Sequence, residues 1–259
     1  MHPFLRAIGA ALLILAPAVT AYADCRARSP EHSTALIELY TSEGCDSCPP
    51  ADRWLSSLPA QNLGDRAVAL ALHVDYWDRL GWKDRFGRAS FSERQRDESA
   101  RSGGAFVYTP QVLLQGRDYP QWHAGDELEH AIAKINARPA RAVLDLVAHP
   151  RAATAEVDVS VRVTDVRERA GAVVAVALVQ NGLSSEVKAG ENAGKHLRHD
   201  HVVRQWRELL TLDASGVGAG KLDLALPADL GPLSVVVLAE NPRTGEVLQA
   251  LEMPLCTAR

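Results

Sequence analysis

Cys45 and Cys48 stand with two residues between them, where an apolar run gives way to a helix-compatible one. This placement constrains the chain more than any other feature. Ala35 to Tyr40 leads in as a buried strand, and Ala51 to Leu58 leads out as a helix. The spacing predicts Cys45 at the strand-to-helix junction and Cys48 in the first helical turn. Unpaired N–H groups and the positive end of the helix dipole favour a thiolate there. A lowered thiol pKa at a helix start is what makes a cysteine nucleophilic near neutral pH. Cys48, one turn on, is within bridging reach, so the pair can cycle between dithiol and disulfide. Two other chemistries use the same spacing. One is half of a zinc site, which needs a second cysteine pair or two histidines nearby. The other is an inert structural bridge.

The 259 residues allow one or two domains, and a formal charge of -4 gives no electrostatic case for nucleic acid. The first segment reads as a leader. Arg6 supplies the positive start, Ala7 to Val19 the apolar run, and Ala21-Tyr22-Ala23 a small-x-small cleavage site. Residues 1–23 are therefore expected to be a signal peptide, leaving a periplasmic or secreted protein with no stable membrane insertion. Lipidation at Cys25 competes, but Asp24 stands where a small residue is needed. Outside the cytosol disulfides persist. Of the four cysteines, Cys25 and Cys256 lie near the mature ends. The simplest pairing is Cys45 with Cys48 and Cys25 with Cys256; the alternative for the outer two is a pair of free thiols.

Val68 to Val74 reads as a second buried strand, so a helix between it and the first makes a βαβ unit. Asp75 to Asp84, aromatic and charged, falls at that strand's C-terminal end, the edge where open α/β sheets bind ligands; a surface loop pinned by Trp77 and Trp82 is the competing reading. Ser90 to Ser102 suits a helix. Pro110 stands just before the strand-like Gln111 to Leu114, and Gln121 to Trp122 is expected to complete a hairpin. Asp126 to Asn136 has helical apolar spacing. After Arg138-Pro139 the texture changes to short β-rich segments: Val143–Val147, Ala155–Val163, Val173–Val179, Leu222–Leu226, Leu233–Ala239 and Glu246–Leu251. Repeated short strands between turns point to a β-sandwich. Asn181 to His201 reads as one long loop, with His196, His199 and His201 open to either a metal or a merely polar role.

Together, Thr41 to Asp52, His73 to Asp78, Tyr108 to Gln111, Glu191 to Gly194 and Leu197 to His199 resemble the exported domain-of-unknown-function 1223 family, which is similar to thioredoxin-like proteins in its first domain. The resemblance implies that the first domain, 24–138, is a thioredoxin-like α/β domain; the strand texture gives the boundary near Asn136 to Ala142 and the β-sandwich over 139–259. It implies Cys45 as the attacking thiol, Cys48 as the resolving one and Pro110 as a cis-proline. Thr109, before it, would be placed to bind an extended substrate backbone. Trp77 joins Thr109 and Pro110 as a candidate substrate-binding residue. Thioredoxins proper carry a buried acid six residues before the first cysteine. Here that position is Leu39, with Glu38 on the opposite face of the strand.

The expected function is a thiol–disulfide oxidoreductase acting on exported protein thiols or disulfides, with an unidentified redox partner. It needs no cofactor beyond the redox-active disulfide, and no residues are assigned to a metal. The competing classes are a metal-binding protein holding Cu(I) on Cys45, Cys48 and a histidine, and a non-catalytic interaction module. Asp46 and Glu43, expected to be exposed, disfavour a nearby anion. No cation lies between Thr41 and Asp52, and His73 and Arg53 are the nearest along the chain. The pair is therefore expected to be reducing or isomerising rather than strongly oxidising.

Overall fold

Two segments of seven residues, each buried throughout, set the centre of the fold: β2 (Ala35–Thr41) and β3 (Ala67–His73). Strands that are apolar on both faces need cover on both faces, the usual condition of parallel neighbours. They pair in parallel from Ala35–Ala67 to Thr41–His73. Helix α1 (Pro49–Ser57) lies between them in the chain, with prolines in its first turn, where a missing N–H costs nothing. The computed structural model describes residues 24–58, 63–229 and 231–256. The leader expected over residues 1–23 lies outside them, as do residues 59–62. Among the described residues no helix is long and apolar enough to cross a membrane.

Among the described residues strand predominates, with few helices and several sheets. Helix α2 (Ala89–Arg101) follows a 3-10 turn at Asp78–Leu80. Strand β4 (Gln111–Leu114) then runs antiparallel to β2 and makes a hairpin with β5 (Arg117–Asp118). The expected hairpin partner, Gln121 to Trp122, lies beyond it. Helix α3 is Glu127–Asn136. The later strands are β6 (Ala142–Pro150), β7 (Thr154–Val163), β8 (Val173–Gln180), β9 (Leu183–Glu186), β10 (His196–His199), β11 (Val202–Thr211), β12 (Val217–Ala225), β13 (Leu233–Asn241) and β14 (Glu246–Pro254). An opening strand β1 (Cys25–Arg28) pairs with β6.

The two larger sheets both cross residue 138. One has eight strands in the order β14-β13-β8-β11-β3-β2-β4-β5, and the other four in the order β1-β6-β7-β12. The seam in the large sheet is narrow. Val202 pairs with Ala71 in parallel, and the Ala71 amide donates to the His201 carbonyl at 2.7 Å. Alternation along β8 shows the layering. Val174, Val176 and Leu178 face Val157, Val159 and Val161 of the small sheet. Ala175, Ala177 and Val179 share the other face with Leu36, Leu70, Leu72 and Phe91 of α2. Helices α1 and α3 cover Ile37, Leu39 and Ala69 with Leu55 and Ile132.

Glu38 lies under α2, away from the cysteines. Arg94 Nε donates to Glu38 at 2.9 Å, and its two terminal nitrogens donate to Glu240 at 3.0 and 2.9 Å. Arg101 donates to Glu98 at 2.6 Å. Three buried carboxylates thus share two guanidinium groups. Burial pushes the Glu98 carboxyl up to about 7, with Glu38 and Glu240 adding to the push against Arg94. The folded state therefore holds a proton that the unfolded chain gives up near 4.5. The stability this proton confers is full below that value and is lost as the pH rises through about 7. Urea unfolding is expected to show a loss on the order of 1–3 kcal/mol between pH 5 and pH 8. Glu98→Gln should flatten that slope. An equal slope in the variant would place its origin elsewhere.

Candidate active site around the Cys45–Cys48 pair

β2 hands the chain to a tight loop, and α1 takes it up at Pro49. The Cys45 amide donates to the Ser42 carbonyl at 3.2 Å, and the Cys48 amide to the Cys45 carbonyl at 3.3 Å. The two cysteines form a disulfide with Cα atoms 5.4 Å apart. Cys48 is the N-cap of α1, one step before the first turn in which it was expected. Its carbonyl accepts from the amides of Ala51 and Asp52 at 2.9 and 3.1 Å. The Ser47 hydroxyl lies 3.4 Å from Cys45 Sγ. Gly44 packs closely here: a Cβ at this position would stand 3.0 Å from the Trp77 Cβ, so one of the two would have to give by a few tenths of an ångström.

The other candidate residues gather at the same end of the sheet. Trp77 Nε1 donates to the Thr109 hydroxyl at 2.8 Å. The Thr109–Pro110 peptide is cis, as the resemblance implies. Because Tyr40 pairs with Gln111, Pro110 falls beside the end of β2. Cys25 and Cys256 lie elsewhere, joined in a second disulfide across 231 positions.

Residues 181–201, expected as one long loop, contain the hairpin β9–β10, and it covers the pair. Asn192 is fully buried. Its carboxamide nitrogen donates to the carbonyls of Glu43 and Cys45, each at 2.8 Å. Lys195 Nζ donates to the Asn192 side-chain Oδ1 at 2.7 Å. Glu191 accepts from the Asp46 amide at 3.2 Å. Beneath this cover both cysteines have 0% exposure.

A buried ionisable cluster surrounds the same loop. Glu43, expected to be exposed, has 0% exposure, because Trp82 Nε1 donates to one of its oxygens at 2.7 Å and the loop folds inward. His199 Nε2 lies 3.3 Å from the other oxygen, and His199 Nδ1 lies 3.8 Å from Asp52 Oδ2. The Thr41 hydroxyl donates to Asp52 Oδ1 at 2.7 Å. His73 Nδ1 is 2.7 Å from Asp84 Oδ2, which also accepts from the Glu43 amide at 2.9 Å. Burial raises the Asp84 carboxyl, but the His73 charge and hydrogen bond, with amides from Glu43 and Phe86, outweigh it and hold the group at about 2. Burial lowers His73, and the Asp84 charge more than restores it, so His73 titrates above its usual value. Burial lifts Asp52 above the usual carboxylate range despite His199, His73 and Thr41. Glu43 ends below that range, with contacts from His199, Ser185 and Trp82 overcoming burial.

The three loop histidines do not converge. Strand alternation turns His196 outward to Glu186 and His199 inward, while His201 takes a positive φ of 58° and its amide donates to Asn181. Of the two cations named from the sequence, His73 joins the cluster and Arg53 is exposed. Asp52, His199 and Asn192 were not assigned to the site from the sequence. The signal for His199 was its alternation with Leu197 in a short strand.

A family described as "Protein of unknown function (DUF1223)" matches residues 36–239. No curated protein matches the chain. Among solved structures, a protein from Agrobacterium tumefaciens is similar at 25% identity and a TM-score of 0.61, over 89% of this chain and 98% of that one. HBP35 of Porphyromonas gingivalis is similar in fold at 13% identity and a TM-score of 0.66, over 89% of this chain and 78% of that one.

Proposed function

We propose that this chain, which belongs to the DUF1223 family, is an exported thiol–disulfide oxidoreductase working in the reducing or isomerising direction on protein disulfides. In this reading a thioredoxin-like unit over 24–138 and a β-sandwich over 139–259 share the eight-stranded sheet, and β1 completes the small sheet of the second, in an oxidising compartment. One observation carries the reading: the Cys45–Cys48 disulfide stands at a strand-to-helix junction beside a cis-proline at the end of the neighbouring strand.

In the reduced protein Cys45 attacks a substrate disulfide as thiolate. The substrate S–S bond breaks, one substrate thiolate leaves, and a Cys45–substrate mixed disulfide forms. Cys48 then attacks the Cys45 sulfur, releases the second substrate thiolate and closes the bridge. Ser47 supports Cys45 as the thiolate, since its hydroxyl can donate to that sulfur. Thr109 would meet the substrate backbone, and Trp77 fixes the Thr109 hydroxyl. Recycling requires an external dithiol.

The complete burial of both sulfurs favours a second reading, an inert bridge. The two diverge in one assay. As an oxidoreductase the dithiothreitol-reduced protein reduces insulin with turnover; as an inert bridge it does not. Metal analysis of the same reduced sample tests the copper-binding class.

If the pair reacts, the Asn192 loop must lift. Asn192→Ala removes two hydrogen bonds that hold it down, each worth about 1 kcal/mol net. Alkylation of the reduced pair by iodoacetamide is expected to quicken about 5- to 30-fold. An unchanged rate would mean that this loop does not control access.

A further inference from the structure

The hairpin over the cysteines is set apart from the rest of the fold. β9 and β10 form a two-stranded sheet of their own, joined to neither larger sheet. At its base the Gly182 amide donates to Asp200 Oδ1 at 2.8 Å and the His201 amide to Asn181 Oδ1 at 2.6 Å. Gly182 and His201 both take a positive φ, 71° and 58°, so the chain turns sharply on entering and on leaving the hairpin. Its polar contacts to the cysteine loop fall on Glu43, Cys45 and Asp46.

The closed hairpin suits a neutral disulfide and not a thiolate. Both sulfurs have 0% exposure. The start of α1 offers them little. Pro49 and Pro50 have no N–H, and the amides of Ala51 and Asp52 are taken by the Cys48 carbonyl. Among the described residues the Ser47 hydroxyl is the one hydrogen-bond partner of either sulfur of the pair. The Asp46 amide, next after Cys45, is held by Glu191 of the hairpin. The charged groups packed about the loop give an anion no relief. Glu43 is buried two residues before Cys45, and the buried Asp52 follows on α1. The cations are spent elsewhere: His199 faces Glu43, Lys195 donates to Asn192, and His73 of β3 is paired with Asp84. A buried anion left with a single hydroxyl is costly, and burial of this kind disfavours a thiolate.

We propose that the β9–β10 hairpin is a redox-coupled lid, closed over the Cys45–Cys48 disulfide and released when Cys45 ionises. This rests on the oxidoreductase reading and supplies the regulation of its site. An external dithiol delivers two electrons and two protons to the bridge and leaves two thiols. Cys45 then loses its proton to solvent as the lid lifts, because the open loop gives the thiolate water and frees the Asp46 amide from Glu191. Substrate enters through the same opening. When Cys48 closes the bridge, the Cys45–Cys48 bond forms, the Cys45–substrate bond breaks, and the substrate leaves with the electron pair as thiolate. The Cys48 proton passes to solvent while the lid is still open. The lid then settles on a neutral pair. The coupling is reciprocal, so whatever holds the lid down disfavours the thiolate by the same factor.

Hydrogen exchange of the full chain, read by mass spectrometry over residues 183–199, tests the coupling. A two-stranded hairpin alone is marginal in water, so lifting it exposes its amides to exchange. Oxidised wild type, dithiothreitol-reduced wild type and identically reduced Cys45→Ser are compared at pH 6 and at pH 9. Comparison within one pH cancels the intrinsic pH dependence of exchange. Peptides from β6 and β7 report any loosening caused by reducing Cys25–Cys256, which the serine variant shares. Even an ordinary thiol, with a pKa of about 8.5, is mostly thiolate at pH 9 and almost wholly protonated at pH 6. The hairpin of reduced wild type is therefore expected to exchange at least about fourfold faster than that of the oxidised protein at pH 9, with a ratio near one at pH 6. Reduced Cys45→Ser, which forms no thiolate at that position, should stay near the oxidised rate at both. Equal exchange in oxidised and reduced wild type at pH 9 would overturn the proposal. So would an equally fast Cys45→Ser, which would assign the release to the broken bond rather than to the charge. If the variant does not fold, the wild type decides: a ratio equal at the two pH values would overturn the coupling. Faster exchange in a reduced protein that fails to reduce insulin would defeat the oxidoreductase reading and leave the lid standing. Insulin reduction with unchanged exchange would defeat the lid alone. A pair that dithiothreitol cannot reduce would defeat both.

Discussion

Cys45→Ser is expected to abolish insulin reduction, lowering it by roughly three orders of magnitude or more. Cys48→Ser is expected to leave the attacking thiol in place and trap partners as mixed disulfides. The difference follows from position. Cys45 lies in the loop, with the Ser47 hydroxyl 3.4 Å from its sulfur. Cys48 is the N-cap, locked by two amides of α1 on its carbonyl. The attacking thiol is the one with a donor at hand and no helix built on its own peptide. Non-reducing electrophoresis and mass spectrometry of the trapped species read the result. If Cys45→Ser captures partners as well as Cys48→Ser does, the roles are reversed. If neither substitution changes the protein's chemistry, the inert bridge is the better description.

The second large effect concerns stability. Replacing both Cys25 and Cys256 by serine is expected to destabilise the fold by about 2–5 kcal/mol, toward the upper end in the chain-entropy account of so long a ring. The double replacement avoids leaving a reactive thiol. Cys25 opens β1, a strand of four residues, and the Cys256 amide also donates to its sulfur at 2.9 Å. A strand so short at a sheet edge keeps its place with few contacts of its own, so the bridge should decide whether it stays docked. Urea unfolding with the Cys45–Cys48 bridge left oxidised measures the loss. An unchanged midpoint would show that β1 and β14 hold the ends together without the bond.

How much of this was legible follows from how local each signal is. β2 and β3 announce themselves by unbroken apolar runs, and β7 by its alternation of Val157, Val159 and Val161 with polar residues. β11 was not read from the sequence. Bulges between Val203 and Gln205 and between Glu208 and Leu210 put its alternation out of phase twice. Cys45, Cys48, Trp77, Thr109 and Pro110 could be named because each stands in a recognisable local setting. Asn192 and His199 could not, because what they do depends on a hairpin folding back across some 150 residues, to carbonyls at Glu43 and Cys45 that carry no sequence label. Glu43 misled for a related reason. A glutamate beside a glycine reads as solvated, and it takes the Trp82, Ser185 and His199 side chains, all distant in the chain, to make its burial tolerable.

The bond between Cys25 and Cys256 also decides how the molecule carries mechanical load. Their Cα atoms are 5.8 Å apart, yet 231 positions separate them in sequence. A pull on the two ends of the oxidised chain enters at Cys25, crosses one covalent link and leaves at Cys256. Everything between, both sheets and the covered cysteine pair included, hangs as a closed loop outside the line of force. With the link cut, the same pull would first peel β1 from β6 and β14 from β13, then unzip the sheets inward from their edges. Whether the fold feels tension at all is therefore settled by two sulfur atoms that take no part in its chemistry.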